Sequence, residues 1–329
     1  MTQRTGLEKW VNLLGMLVLL GAGGLLAREM TRAKPVVSAS PALAAIPAKW
    51  LQYREIRRIP TGMMTVRALT LGVNGLYVAG DREIGVFASN GAKIQRGMGR
   101  HFPLPIMMKV GSLRLPGEPT CITEDGVGDW LIGLGDHVER YSSSGKLLAS
   151  WASVGNSSLL TGITSVKDIV YVADAGARVV RKYDLQGHQF GQMPKAGLTV
   201  PSPYLNVGIA NETGQVWVND PGRHHLTVMR QNGDVLRTIG QVSMTLEGFC
   251  GCCNPMDFVV LPDGRFITVE KGIPRVKVYN KDGTLDSVVA GPSDFAPGTA
   301  GLRLAADDAR TIYLLDPMTR TIRVYQRKS

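Results

Sequence analysis

An all-β fold built from six copies of a four-stranded propeller blade is what this 329-residue sequence predicts, and three observations carry the prediction. First, a short β-prone run ending at an acidic residue recurs along the chain. Its copies are Leu76 to Asp81, Val170 to Asp174, Val216 to Asp220, Arg265 to Glu270 and Ile312 to Asp316, with Trp130 to Gly133 followed by Asp136 as a weaker sixth. Second, each copy is followed by another run ending in a large side chain: Phe87, Tyr141, Tyr183, Met229, Tyr279 and Tyr325. In the first five a glycine lies four residues further on, and Asn90-Gly91, Asn232-Gly233 and Asp282-Gly283 are pairs suited to hairpin turns with positive φ. Third, the acids lie 55, 38, 46, 50 and 46 residues apart, close to the ~40–50 residues of a propeller blade. With 39 glycines, 18 prolines and only 6% aromatic residues, the composition agrees with many short strands joined by turns.

Taken in order, residues 1–9 form a short basic lead containing Arg4 and Lys9. Residues 10–27 (WVNLLGMLVLLGAGGLLA) are apolar apart from Asn12; as a helix they would extend roughly 27 Å, near the thickness of a hydrocarbon core. No small-x-small cleavage pattern follows directly, because Arg28, Glu29, Arg32 and Lys34 do. The expectation is therefore one uncleaved N-terminal transmembrane helix rather than a removed signal peptide. The flanking charges give no clear orientation, and we place the following domain on the periplasmic or extracellular side. Residues 28–49 read as a Pro/Ala linker, and 50–329 as the propeller. The last copy ends near Tyr325 with no material for a further strand, so the alternating Leu51 to Ile56 segment is expected to complete the sixth blade.

The copies resemble NHL repeats, in which V-Y-V-A-D is followed by a short loop, an arginine and a hydrophobic strand. Val170-Tyr171-Val172-Ala173-Asp174-Ala175-Gly176-Ala177-Arg178-Val179 matches best. The resemblance reaches from about Trp50 to the C-terminus. It implies a six-bladed NHL-like β-propeller, an architecture shared by enzymes, sensors and protein-binding platforms.

The repeat breaks pattern at Phe249-Cys250-Gly251-Cys252-Cys253-Asn254-Pro255, which holds three of the four cysteines. In a propeller blade the loop leading into the inner strand and the loop between the second and third strands open on one face. Blade five therefore brings Cys250, Cys252, Cys253 and Asn254 beside Glu270, Lys271 and Arg275, and neighbouring blade four adds Asp220, Arg223, His224 and His225. These residues are the candidate binding rim. For the thiols four readings stand: a disulfide within the run or to Cys121, a metal site using Cys252 and Cys253 with His224 or His225, redox catalysis, or buried inert thiols. Zinc or copper would suit such ligands, although C-x-C-C lacks knuckle spacing and no cofactor is required by the sequence. Covalent c-type haem is excluded by the lack of C-x-x-C-H. Met98, His101, Met107 and Met108 form a weaker candidate copper site, while Asp174 with Arg178 and Asp316 with Arg320 read as structural ion pairs.

The net charge of +10 comes from scattered basic residues without a helical or aromatic–basic stripe, so nucleic acid is not an expected partner. No Ser-His-Asp or P-loop motif occurs, nor the Glu, Asn and Asp set that gluconolactonase-like propellers arrange around a divalent ion. The expected function is a membrane-tethered platform that binds a partner protein, in a membrane or redox complex, through the cysteine-bearing rim. The alternative is a metal-dependent hydrolase or lyase, or a thiol oxidoreductase, acting at that same rim.

Overall fold

The computed structural model describes residues 45–329 apart from 74, 90–106, 195–197, 199–201 and 307. The basic lead, the apolar run 10–27 and most of the linker lie outside the described residues, as do Met98, His101 and the Asn90-Gly91 turn. Among the described residues no helix is long and apolar enough to cross a membrane.

Six antiparallel four-stranded sheets make up the propeller. The inner strands of blades one to six are Ala68–Gly72, Cys121–Glu124, Leu160–Val166, Val207–Ala210, Asp257–Val260 and Arg303–Ala305. Together they line a central cavity of about 340 Å³. The second strands carry the repeated hydrophobic run. Those of blades four and five, Gln215–Asp220 and Phe266–Glu270, are buried along nearly their whole length, because each sheet packs a neighbour on both faces. One such interblade core joins Val269, Val276 and Val278 of blade five to Ile312, Leu314 and Tyr325 of blade six. All six large residues that end the third strands are buried; Tyr279, for example, stacks on Phe266 with ring centres 5.0 Å apart. Gly187 and Gly283 follow at φ +90° and +94°, a region that a side chain would make costly.

Ring closure is made by the N-terminal segment. Tyr53–Pro60 pairs antiparallel with Thr321–Arg327, giving blade six an outer strand from the opposite end of the chain. Glu55 reinforces it by accepting from Arg323 Nε at 3.1 Å and Nη2 at 2.5 Å. A sheet edge that would otherwise present unpaired amides is thereby covered.

The repeated acids act differently from the expected hairpin pairs. Asp174 accepts hydrogen bonds from the amides of Leu159 and Ala177, and its cation is Arg181, with Nε at 2.9 Å, rather than Arg178. Asp316 caps Met318 and Thr319 and faces Arg323 at 3.7 Å rather than Arg320. Register explains the correction. Asp174 lies opposite Val179 and Asp316 opposite Thr321, so the residue two further along the third strand returns to the acid's own face. Arg178 and Arg320 instead occupy left-handed turn positions, φ +60° and +55°.

Candidate functional site

Blade five follows the same rule with a longer acid and two cations. Glu270 pairs in register with Arg275, and Lys277 lies two residues further on the same face. Oε1 of Glu270 accepts from Arg275 Nε at 2.9 Å and lies 2.8 Å from Lys277 Nζ; Oε2 accepts from Arg275 Nη2 at 2.6 Å and from the Cys250 amide at 3.2 Å. Glu270 and Lys277 are 0% exposed and Arg275 only 2%. Buried charges need pairing and full hydrogen bonding, and this cluster supplies both. The Lys277 ammonium also donates to the carbonyls of Leu246 and Gly248 at 2.8 and 2.7 Å, and stands over the rings of Phe249 and Tyr279. Burial pushes Lys277 down to about 8, Glu270 opposing the shift.

The long loop leading into the inner strand is thus clamped from below. Arg275 Nη1 holds the Thr245 carbonyl, Tyr279 donates to the Glu247 carbonyl, and Gln241 to Ser243 bond back to Phe249. Asn254 clamps the other end. Its Nδ2 donates to the carbonyls of Cys250 and Lys271, and its Oδ1 accepts from the Lys271 amide at 2.9 Å. Five of the expected rim residues (Cys250, Asn254, Glu270, Lys271 and Arg275) therefore do come together. Four of them, Cys250, Asn254, Glu270 and Arg275, are buried supports rather than contact residues.

The cysteines divide by environment. No disulfide joins any of the four cysteines, so the reading of a disulfide within the run or to Cys121 finds no support here. Cys250 is turned into the charged cluster, with Sγ 3.2 Å from Arg275 Nη2 and 3.8 Å from Glu270; burial and Glu270 push its thiol up, partly opposed by Arg275. Cys121 is buried in the blade-two inner strand, where desolvation pushes it up to about 12. Cys252 is exposed and Cys253 half-buried, with their Sγ atoms 3.1 Å apart. Burial and the neighbouring Cys252 raise the Cys253 thiol, while Lys271 and Ser202 act to lower it.

Blade four contributes a separate turn. Asp220 is buried and lies 3.8 Å from Arg223 Nη1, and among the described residues its carboxylate has no hydrogen-bond partner. His224 takes a left-handed conformation, φ +60°, and burial pushes the adjacent His225 down. Among the described residues no group of three or more His, Cys, Asp and Glu side chains is placed to hold a metal ion. Cys252, Cys253, His224 and His225 accordingly do not form the expected zinc or copper site.

Two structural residues were missed from sequence. Asn219 is fully buried; its Nδ2 donates to the carbonyls of Tyr204 and Pro255, and its Oδ1 accepts from the Asn206 amide. It ties blade four to the cysteine loop. Asp257, also buried, accepts from Asn206 Nδ2 and from the amides of Phe258 and Leu304, joining blades four, five and six. The signal for Asn219 was present, since V-W-V-N-D places a polar residue where V-Y-V-A-D has alanine.

No protein-family model matches this chain, and no curated protein does. Among solved structures, virginiamycin B lyase from Staphylococcus aureus superposes with a TM-score of 0.54 at 9% identity, covering 84% of this chain and 100% of its own. A streptogramin B lyase structure gives 0.56 at 10% identity, covering 86% and 100%. A protein of unknown function from Bacteroides caccae gives 0.52 at 10%, covering 70% and 83%. At these identities the likeness establishes the six-bladed propeller fold.

Proposed function

We propose that this chain is a membrane-tethered, NHL-type propeller that binds a partner protein through the cysteine-bearing rim of blade five. One observation carries the reading. A surface loop is clamped from beneath by three buried charges, yet it presents Val242, Met244 and Cys252 to solvent, the first two 70% and 55% exposed. Two apolar side chains presented on one ordered loop offer a contact surface, and pre-ordering lowers the entropy lost on binding. Lys271, whose ammonium stands 4.7 Å over the Tyr204 ring, adds a cation near Cys253. The apolar run 10–27 supports the tether, which would raise the effective concentration of the rim near membrane partners. The V-Y-V-A-D copies support NHL kinship.

A thiol oxidoreductase at this rim is the second reading, favoured by the 3.1 Å separation of Cys252 and Cys253. The metal-dependent alternative lacks a donor set among the described residues, and the likeness to lyase structures is one of fold, which does not by itself carry an activity.

The test is a double substitution, Val242→Ser with Met244→Ser, in the full chain extracted from membranes. Photo-crosslinking from Lys271 should yield a discrete adduct in the parent protein and lose it in the variant, with the melting temperature unchanged. An adduct of equal yield in both would refute the platform.

A further inference from the structure

We propose that Cys252 and Cys253 form a thiol–disulfide exchange site acting on an exposed disulfide of the partner protein. This rests on the platform reading for the identity of the reactant. The chemistry itself belongs to the loop.

Adjacent cysteines can join only through an eight-membered ring that includes their shared peptide bond. Most such pairs splay apart. Here the two sulfurs already lie 3.1 Å apart, about 1 Å more than a disulfide bond. The backbone that sets this approach is locked on both sides. Cys250 is held through its amide by Glu270 and through its carbonyl by Asn254, and the Asn254 side chain grips Lys271 twice. Between those clamps Gly251 and Cys253 both adopt positive φ, +74° and +61°. For cysteine that conformation is uncommon, and such backbone persists where its surroundings impose it.

The two thiols differ in a way that assigns their roles. Exposed Cys252 meets the incoming disulfide, R–S–S–R′. Its thiolate attacks one sulfur, forming the mixed disulfide Cys252–S–S–R and expelling R′S⁻, which takes up a proton. Half-buried Cys253 then loses its proton, with Lys271 beside it, and attacks Cys252 Sγ. The Cys252–Cys253 bond forms as RS⁻ leaves and is protonated. The rim has lost two electrons and two protons, and the partner disulfide has gained both. Ring strain makes the rim disulfide oxidising, so the forward direction needs an exposed, readily reduced partner disulfide. The reverse reaction makes the oxidised rim an acceptor of electrons from a partner dithiol. Cys250 stays outside the cycle, buried against Arg275 and Glu270, and so does Cys121.

The experiment equilibrates the purified full-length protein in glutathione buffers of increasing oxidised fraction. Samples are quenched in acid, alkylated after denaturation and mapped by mass spectrometry. Two of the four thiols should disappear together, only towards the oxidised end, as a Cys252–Cys253 link about 2 Da lighter. Cys252→Ser and Cys253→Ser should each replace that link with a stable glutathione adduct at an unchanged melting temperature. Two independent glutathione adducts in the parent, a link to Cys250, or persistent dithiol throughout would overturn the proposal. Failure here with an intact Lys271 adduct removes the exchange chemistry only. Ring closure without that adduct removes the platform and leaves the thiol chemistry standing.

Discussion

Replacing Glu270 by glutamine tests whether the charged cluster holds the cysteine loop in place. The substitution keeps shape and volume but removes the only carboxylate facing Arg275 and Lys277 among the contacts described. Each carboxylate oxygen accepts from two donors: Oε1 from Arg275 Nε and Lys277, Oε2 from Arg275 Nη2 and the Cys250 amide. Whichever way the new amide turns, its NH₂ meets two donors, and two buried cations lose the carboxylate in contact with them. Breaking a buried pair in this way costs about 3–5 kcal/mol. In a domain of this size that lowers the melting temperature by about 5–20 °C. Asp263→Asn provides the contrast, because Asp263 and Arg265 pair at the surface and such pairs contribute about 0–1 kcal/mol. Urea and thermal unfolding of both variants, read by tryptophan fluorescence, make the comparison. Equal small losses would show that the cluster is dispensable and that the loop is held by other means.

Other outcomes follow from the same contacts. Asn219→Ala should cost about 1–3 kcal/mol, since it strands the Asn206 amide and the carbonyls of Tyr204 and Pro255; chemical denaturation measures it. Deleting residues 51–60 uncovers the Thr321–Arg327 edge and should convert a monodisperse protein into associating species on size-exclusion chromatography; an unaltered elution profile would contradict the closure. Burial pushes the Asp174 carboxyl up, but the Ala177 and Leu159 amides and Arg181 together hold it below its ordinary 3.8. As pH falls the unfolded chain therefore takes up this proton first, so the stabilisation is complete above 3.8 and is lost as pH drops through the lower folded value. The stability difference between the parent and Asp174→Asn, measured by urea unfolding, should narrow over that acid range; a difference independent of pH would contradict it.

Much of the fold was legible because a propeller writes its geometry into the sequence repeatedly. The acid, the large side chain and the turn glycine recur along the chain, and among the described residues all six large side chains are buried at the blade interfaces. The closing strand could be read from a missing element at one end and a spare one at the other. The ion-pair partners were not legible from sequence distance alone. Across a tight hairpin a separation of four points into the turn, whereas seven returns to the acid's face, as Asp174 with Arg181 and Glu270 with Lys277 both show. The approach of Cys250 to Glu270 was legible, since topology alone brings the two together. The division of the rim into buried supports and exposed groups depends on side-chain direction, which the repeat pattern carries only weakly. Asn219 and Asp257 stitch one blade to the next, and contacts of that range leave no local periodicity.

The central claim is that one clamped loop buries Cys250 and displays Cys252 and Cys253. Timed alkylation of the native, fully reduced full-length protein with a small maleimide, mapped residue by residue, tests it directly. The account predicts rapid labelling at Cys252, slower labelling at Cys253, and none at Cys250 or Cys121 until denaturant is added. Labelling of Cys250 at the rate of Cys252, or protection of all three cysteines in the loop, would contradict it.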